Sequence, residues 1–379
     1  MENKSIVFLR SNPVSPDPRV EKQAACLSQA GYKIKILAWD RDEKYKNKPD
    51  VMNLSGEEVK ILRFGIPATF GAGMKNLFPF LKFQRKLFCW LVRNKKDYDI
   101  IHACDFDTAF TGLVCAKILK KKLVFDIFDY LSTNPAGLLG KIIKRLENHI
   151  INNADGVIIC TEQRKAQIAD TRPKKLTVIH NSPEKMNIDI KSPKREIAND
   201  EKVYRIAYIG ILQDYRLLKE LGEAISNMQN VELHIGGFGK YENHFKELSE
   251  KHDNIKFYGK VTYDRTLEIE QNCDIMTAIY APFIGNHQYA APNKFYEALM
   301  LGKPLVMVKN TGMSDIVSEN DIGVLIDYSQ ESFKSGIEWL MTQEYRWDSM
   351  SVKMKRIYEE QFSWDEMKKR LILFYEELA

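Results

Sequence analysis

The residues with the clearest chemical potential lie between positions 281 and 304. There a polar loop follows a strand-like run, and Pro292 marks a helix start because its fixed φ suits a first turn, where its missing N–H is not needed. The N–H groups of Asn293, Lys294 and Phe295 would then be unpaired and point toward an anion, assisted by the positive end of the helix dipole. The segment therefore predicts a phosphate-binding helix start.

Glu297 follows one helical turn later. A carboxylate at this place does not help to bind phosphate, but it can accept hydrogen bonds from two sugar hydroxyls, such as the 2′ and 3′ hydroxyls of a ribose. The alternative is that Glu297 only complements the helix dipole. The motif alone leaves both interpretations open.

Two glycine-containing loops of the second half add to this site. Gly210 follows the apolar run 204–209 and permits close backbone approach, while Arg216 supplies a planar donor for a diphosphate. The loop 236–240 contains three glycines and follows the next apolar run. Because ligands of open parallel sheets bind outside the carboxyl ends of the strands, the loops together predict a phosphate cradle.

The elements that must position these loops are parallel strands and helices. Short runs rich in β-branched residues alternate with stretches of helical periodicity, which predicts strand–helix–strand units. The predicted strands are 5–9, 33–38, 59–63, 100–103, 122–126, 156–160, 176–180, 204–209, 231–235, 255–258, 275–278, 304–308 and 323–326. A charged, proline-containing linker at 183–202 separates two doubly wound domains, 1–182 and 203–361. Neither first strand is followed by Gly-x-Gly-x-x-Gly, which disfavours a nicotinamide or flavin dehydrogenase.

The composition excludes several classes of protein. The chain has 379 residues, of which 44% are hydrophobic and 28% charged, and these values are not those of collagen-like or disordered sequences. No run of about 18 apolar residues predicts a membrane span, and the first residues lack the regions of a signal peptide. The six cysteines are scattered, which favours reduced thiols in a cytoplasmic protein.

The second half resembles the nucleotide-sugar-binding domain of family 4 glycosyltransferases, which are retaining enzymes with the GT-B fold of two Rossmann-like domains facing a cleft. The similar segments are Tyr-Ile-Gly-Ile-Leu at 208–212, Leu-His-Ile-Gly-Gly-Phe-Gly at 233–239, Ile-Lys-Phe-Tyr-Gly-Lys-Val at 255–261, Cys-Asp-Ile at 273–275, Pro-Asn-Lys-Phe-Tyr-Glu-Ala-Leu at 292–299 and Gly-Lys-Pro at 302–304. The first half is similar at Asp-Pro-Arg-Val 17–20, Ala-Gly-Tyr-Lys-Ile 30–34, Asp-Ile-Ile-His 99–102 and Val-Ile-His-Asn 178–181. In the family the last helix, here 362–379, crosses back to the first domain.

The resemblance implies a role for each matching residue. Glu297 would hold the donor ribose and Arg216 the donor phosphates, as catalytic and binding residues. The helix start would meet the distal phosphate and the backbone around Val261 the base. The full implied binding set is Gly210, Arg216, Gly237, Lys240, Val261, Thr262, Asn293, Lys294 and Glu297. The donor would be a UDP- or GDP-sugar, with no tightly bound cofactor and no metal.

Three positions depart from the family pattern. Ile211 replaces an arginine, so that Lys294 or Lys240 would have to supply the missing cation. Tyr289 replaces the first Glu of a Glu-x7-Glu pair, and Phe128 replaces an active-site histidine. The adjacent polar group, Asp129, is then the catalytic candidate in that loop.

The chemistry needs few protein groups, because a nucleotide sugar already carries a good leaving group. In the family, retention is explained by attack on the face that the leaving phosphate vacates, with this phosphate taking the acceptor proton. Asp105-Phe106-Asp107 resembles a metal-binding Asp-x-Asp, but it lies in the acceptor-side domain, where we expect Asp105 to line the cleft near the acceptor. His287 either touches the sugar or lies in a lid.

Charge divides unevenly along the chain. Residues 1–185 hold 32 Lys and Arg against 20 Asp and Glu, a formal charge of +12, and the remainder holds 24 against 31, a charge of −7. Residues 75–96 contain seven of the basic residues and no acidic one, and a helix from Pro79 would place Phe80, Phe83, Leu87, Trp90 and Leu91 on one face. This pattern predicts contact with an anionic membrane surface. The alternative is a helix packed on its own domain, and nucleic acid is disfavoured because no binding module is visible.

Together these observations predict a bacterial-type glycosyltransferase in the cytoplasm, peripherally associated with the inner face of the membrane. It would transfer a sugar from a nucleoside diphosphate to a glycan or a lipid-diphosphate-linked acceptor in surface polysaccharide assembly. Two alternatives remain open: a nucleotide-sugar epimerase of the same fold, and a catalytically impaired nucleotide-sugar-binding subunit.

Overall fold

The chain forms two compact α/β units in the computed structural model. The structure describes residues 4–45, 49–69, 73–130, 137–184 and 202–378. The first unit comprises Met1–Asn181 with Met367–Ala379, and the second comprises Ser182–Glu366. The predicted fold class, two doubly wound domains with parallel sheets, is confirmed.

The first unit contains an eight-stranded sheet among its described residues, in the order β3-β4-β2-β1-β5-β6-β7-β8. Its strands are β1 (Ser5–Arg10), β2 (Lys33–Asp40), β3 (Pro49–Leu54), β4 (Glu57–Gly65), β5 (Ile100–Cys104), β6 (Lys122–Ile127), β7 (Gly156–Ile159) and β8 (Leu176–Val178). Its helices before the linker are α1 (Pro18–Gln29), α2 (Leu77–Arg93), α3 (Phe106–Leu119), α4 (Gly137–Asn153) and α5 (Arg164–Gln167). The pairing is parallel except between β3 and β4.

The described part of the second unit contains a six-stranded parallel sheet in the order β11-β10-β9-β12-β13-β14. Its strands are β9 (Tyr204–Ile209), β10 (Val231–Gly236), β11 (Ile255–Phe257), β12 (Ile275–Ala278), β13 (Leu305–Val308) and β14 (Gly323–Ile326). The remaining helices are α6 (Leu218–Ser226), α7 (Glu242–Lys251), α8 (Tyr263–Gln271), α9 (Asn293–Leu301), α10 (Ser314–Asn320), α11 (Gln330–Thr342), α12 (Trp347–Ile357) and α13 (Trp364–Leu378). Strand order reverses between β9 and β12, so the loops after these strands flank the place where open sheets bind ligands.

Helix α13 begins in the second unit and packs on the first from Met367 onward. A Cβ on Gly156, the first residue of β7, would lie 2.4 Å from the Phe374 ring. His102 of β5 contacts the Tyr375 hydroxyl at 2.5 Å through Nδ1. Both contacts show that the carboxyl-terminal part of α13 packs against β5 and β7 of the first sheet.

Every predicted strand is present, and no end moves by more than two residues. The sequence prediction omitted β3, the antiparallel edge strand, because Pro49–Leu54 shows neither an apolar run nor a clear alternation. Proline at its first position suits an edge strand, where a ladder hydrogen bond is not needed.

Candidate functional site

A cavity of about 400 Å³ lies at the carboxyl edge of the second sheet. It is enclosed by the loops that follow β9, β10, β11 and β12, and by the start of α9. Most of the binding residues implied at the sequence level line it, namely Gly210, Arg216, Gly237, Val261, Asn293, Lys294 and Glu297. The cavity therefore brings together residues that are up to 87 positions apart in sequence.

The glycines of this cavity are required by close backbone contacts. Gly237 has φ +135°, and a Cβ there would lie 1.7 Å from the carbonyl oxygen of Gly210. The N–H of Gly210 donates to the carbonyl of Gly236 at 2.9 Å, which joins the two loops. A Cβ on Gly210 would lie 2.5 Å from Lys294 Nζ. The small residues thus let the Lys294 ammonium approach the backbone at the cavity wall.

Two cations of the cavity lie on tyrosine rings. The Arg216 guanidinium carbon is 3.5 Å from the centroid of the Tyr280 ring, and Lys294 Nζ is 4.7 Å from that of Tyr208. Neither cation forms a salt bridge with a carboxylate among the described residues, and Arg216 Nη1 is buried without a hydrogen-bond acceptor. Aromatic faces stabilise a cation without neutralising it. Both positive charges therefore remain available to an anion.

Glu297 is only 3% exposed and lies one turn into α9. The hydroxyl of Tyr263 donates a hydrogen bond to its carboxylate, and burial together with Glu297 raises the pKa of Tyr263 well above its usual range. Burial alone would lower the pKa of Lys294, but Tyr208, Tyr280 and Glu297 outweigh it and raise that pKa. Lys294 is therefore charged at neutral pH.

The start of α9 differs slightly from the prediction. Pro292 is the N-cap residue and the helix begins at Asn293. The N–H of Phe295 is not available to a ligand, because it donates to the carbonyl of Pro292 at 3.0 Å. The N–H of Phe295 therefore does not belong to the predicted phosphate-binding set.

Two implied binding residues do not line the cavity. Lys240 Nζ forms a salt bridge with Asp214 at 2.8 Å. Thr262 is the N-cap of α8, and its hydroxyl accepts from the N–H of Arg265 at 3.4 Å. His287 contacts the carbonyl of Ala281 through Nδ1 at 3.0 Å. Lys294, not Lys240, thus lies in the cavity with Arg216, and Lys260 also lines it.

Sequence reasoning missed the aromatic residues that support the site. Tyr208 and Tyr280 hold the two cations, and Tyr263 binds Glu297. A signal exists for the first two, since each lies near the carboxyl end of a strand that flanks the reversal of strand order. Nothing in the local sequence indicates which charged side chain each ring would meet.

At the carboxyl edge of the first sheet, the candidate Asp105 is tied to the protein. It has φ +62° and links β5 to α3. Arg10 Nη1 donates to its Oδ2 at 2.5 Å, and the N–H groups of Phe128 and Asp129 donate to its Oδ1 at 2.9 and 3.2 Å. Burial raises the pKa of Asp105 to about 7, although Arg10 opposes this shift.

The neighbouring loop residues are also engaged. Asp129 forms a salt bridge with Arg164 at 3.1 Å. The Phe128 ring lies 4.3 Å from the Arg10 guanidinium carbon and 4.9 Å from that of Arg19. In the described part of the chain, no three His, Cys, Asp or Glu side chains are grouped as metal ligands would be. Asp105 therefore joins the β5 and β6 loops through its own hydrogen bonds.

Two family models match nearly the whole chain. Residues 189–361 match glycosyl transferases group 1, and residues 19–182 match glycosyltransferase family 4. The chain belongs to the family 4-like GT-B glycosyltransferases. No curated protein sequence matches it significantly.

Solved structures of similar fold extend over the full length of this glycosyltransferase. Sucrose-phosphate synthase from Thermosynechococcus elongatus has a TM-score of 0.75 at 16% identity, with 99% of each chain covered. Anabaena HepE in complex with UDP-glucose has a TM-score of 0.71 at 16% identity, with 98% of this chain and 99% of that chain covered. The lipopolysaccharide outer core galactosyltransferase WaaB gives 0.64 at 15% identity, with 99% and 98% covered. These similarities establish the fold.

Helix α2 of the glycosyltransferase exposes a different apolar face from the one that was predicted to be exposed. It begins at Leu77, and the apolar face predicted to meet a membrane packs instead on its own sheet, with Phe83 stacked on Trp39 at 4.9 Å. A different set of apolar side chains is exposed, namely Leu77, Phe78, Leu81 and Phe88. Lys82 and Arg85 are exposed beside them. Among the described helices, none has the length and apolar character needed to cross a bilayer.

Proposed function

We propose that the protein transfers a sugar from a nucleoside diphosphate sugar to an acceptor hydroxyl with retention of the anomeric configuration. The observation that carries the proposal is the pair of cations, Arg216 and Lys294, that lie in one cavity without a salt bridge to any carboxylate of the described residues. Two fixed positive charges beside a helix start suit a diphosphate. Glu297, buried one turn further on, suits the two hydroxyls of a ribose.

A UDP-sugar or a GDP-sugar is the proposed donor. HepE, which shares this fold, was solved in complex with UDP-glucose, and this complex supports a nucleotide-sugar donor. Gly210 and Gly237 allow the diphosphate to reach the backbone, and the β11 loop at Val261 offers backbone groups to the base. The residues that select the base and the sugar lie in these loops.

The cations stabilise the leaving group in the proposed reaction. The bond from the anomeric carbon to the phosphate oxygen breaks, the bond to the acceptor oxygen forms on the same face, and the acceptor proton passes to the leaving phosphate. Arg216 and Lys294 then stabilise the charge that develops on the diphosphate. Glu297 is the one carboxylate among the residues lining the described cavity. Because Glu297 is proposed to bind the ribose, its carboxylate does not serve as the nucleophile. This favours a route without a covalent intermediate.

The acceptor is proposed to be a glycan or a lipid-diphosphate-linked glycan that meets the first unit near Asp105 and Asp129. A role in bacterial surface polysaccharide assembly fits the family and the similarity to WaaB, a lipopolysaccharide outer core galactosyltransferase. The protein would work in the cytoplasm at the inner face of the membrane. Asp105 and Asp129 would orient the acceptor, directly or through the loop that they hold.

The exposed face of α2 supports the proposed membrane association. Phe78 is 82% exposed and stands beside Leu81, with Lys82 and Arg85 close by on the same helix. Apolar and basic side chains on one exposed surface bind the interface of an anionic bilayer. Flotation with anionic vesicles should enrich the protein, and Phe78→Ser with Leu81→Ser should lower the bound fraction about threefold or more. Equal flotation of this variant and the wild type would remove the membrane proposal.

The experiment for the transferase proposal uses labelled donors. UDP- and GDP-sugars are incubated with the full chain and with lipid-linked or free glycan acceptors, and the linkage of the product is read by NMR. A product whose anomeric configuration matches that of the donor is expected. Inversion would contradict the route, and conversion of donor without acceptor would favour the epimerase. Nucleotide binding without turnover over a broad acceptor panel would favour the impaired subunit, which Phe128 and Tyr289 make a specific alternative.

A further inference from the structure

A second buried carboxyl group lies next to the donor cavity. Glu270 belongs to α8, the helix whose residues Tyr263 and Thr266 line that cavity. Its side chain is 0% exposed, and neither carboxyl oxygen has a hydrogen-bond partner among the described groups. An ionised carboxylate in such a place is strongly disfavoured. The family motifs account for Glu297 but give Glu270 no role.

The groups that face Glu270 come from its own helix, α8, and from the neighbouring helix α9. Glu297 and Lys294 of α9 act on it electrostatically, as does Tyr263 of its own helix, and Cys273 lies just beyond. Burial and repulsion by Glu297 raise the pKa of Glu270 well above its usual range, while Lys294 opposes the shift. Two neighbouring carboxyl groups cannot both ionise easily, so one of them keeps its proton.

The surroundings indicate which of the two carboxyl groups is neutral. Glu297 accepts a hydrogen bond from Tyr263 and borders the cavity, so its charge is compensated. Glu270 accepts no hydrogen bond from any group that the structure describes. Strand β9, which also packs on α8, contributes Tyr208, whose ring supports Lys294 rather than Glu270.

We propose that Glu270 is held as a neutral acid beside the donor cavity, so that it gives Lys294 no carboxylate partner and leaves Glu297 as the single anion at the ribose. The inference rests on the proposed nucleotide-sugar site. Ionisation of Glu270 would give Lys294 a carboxylate partner inside the protein and would repel Glu297. Both effects would weaken the binding of a nucleoside diphosphate.

The test combines an infrared measurement with nucleotide titrations. At about pH 7 the protonated-carboxyl absorption of the unliganded wild type should exceed that of Glu270→Gln by the band of one carboxyl group, because Asp105, whose pKa is raised to about 7, contributes to both proteins. UDP and GDP are then titrated calorimetrically from about pH 6 to about pH 10. Glu270→Gln should bind within about twofold of wild type at neutral pH, and wild type should lose about tenfold relative to this variant at the alkaline end, the worth of one charge-assisted contact.

Two further variants keep the result interpretable. Glu268→Gln changes an exposed carboxylate of the same helix, which pairs with Arg265, and should behave as wild type in both measurements. Glu270→Leu is also neutral, and should keep nucleotide binding at neutral pH even if the glutamine variant folds poorly.

Three results would overturn the inference: a carboxyl band unchanged by Glu270→Gln, tenfold weaker binding by both neutral variants at about pH 7, or parallel pH profiles. Failure of the wild type to bind either nucleotide would contradict the proposed function instead. In that case the infrared band still decides whether Glu270 is neutral.

Discussion

The two sheets of this glycosyltransferase differ in what contacts the cationic side chains at their carboxyl edges. At the carboxyl edge of the first sheet, Arg10 is paired with Asp105 and Arg19 with Asp126 at 2.8 Å. At the same edge of the second sheet, Arg216 and Lys294 lie on tyrosine rings and form no salt bridge with a carboxylate in the described part of the chain. Paired charges fix the loops of a protein, whereas cations supported only by aromatic rings retain their attraction for an anionic ligand. The difference supports the proposal that the edge of the second sheet binds the donor phosphates.

The comparison predicts its largest effect on stability in the first sheet. Arg19→Met should lower the free energy of unfolding by about 3–5 kcal/mol, because it leaves the fully buried Asp126 without its main counter-charge. Urea unfolding followed by circular dichroism measures the change, and nucleotide affinity should stay the same. The control Lys144→Met breaks an exposed pair with Asp170 and should leave stability unchanged. A stable Arg19→Met protein would show that the paired charges do not hold this edge.

The next effect concerns catalysis in the second sheet. Arg216→Ala should lower kcat/KM for transfer about a hundredfold or more, because one of two charges on the leaving diphosphate is lost, while the unfolding midpoint barely moves. Steady-state kinetics with the identified donor measure it. Lys240→Ala is the matched control, since this neighbouring cation is paired with Asp214 outside the cavity. Equal losses in the two variants would remove the distinction between paired and unpaired cations.

A smaller effect separates the contribution of the ribose to nucleotide affinity from that of the phosphates. The wild type should bind a nucleoside diphosphate about tenfold more tightly than its 2′,3′-dideoxy analogue, since Glu297 loses its hydrogen bonds with the analogue. Glu297→Ala should bind both ligands equally weakly. Calorimetric titration gives the two ratios. A preference that survives in Glu297→Ala would assign the ribose to another residue.

The smallest effect is a pH dependence of stability. The pKa of Asp105 is raised to about 7 in the folded protein, so the folded state binds more protons than the unfolded state near neutrality. Protonated Asp105 stabilises the folded state fully below the pKa that Asp105 has in the unfolded chain. This stabilisation is lost as pH rises through about 7, with a loss of about 1 kcal/mol between about pH 6 and pH 8. Asp105→Asn should remove this dependence. Chemical unfolding of the wild type and of Asp105→Asn at several pH values measures this dependence.

Sequence reasoning predicted well the secondary-structure elements and most of the loops that line the cavity. Parallel strands have a clear apolar signature, and the loop at Gly237 needs a residue without a side chain, so both are visible locally. The start of α9 was displaced by one residue, because Pro292 serves equally well as an N-cap and as a first helical residue.

The side chains that depend on packing between elements could not be predicted. Tyr208 and Tyr280 support cations from other loops, and the proposed neutral state of Glu270 depends on the packing of α8 against α9. The apolar stripe of α2 was correctly recognised, but periodicity does not say whether such a stripe meets a sheet or a bilayer. The packing of Phe83 on Trp39 decides that question.

The most direct test of the central claim is calorimetric titration of UDP and GDP into the wild type and Arg216→Ala. One of the two nucleotides should bind the wild type, and Arg216→Ala should weaken that binding at least tenfold, because the arginine has no carboxylate partner among the described residues and is free to bind phosphate. Unchanged affinity in Arg216→Ala, or no binding of either nucleotide to the wild type, would contradict the account.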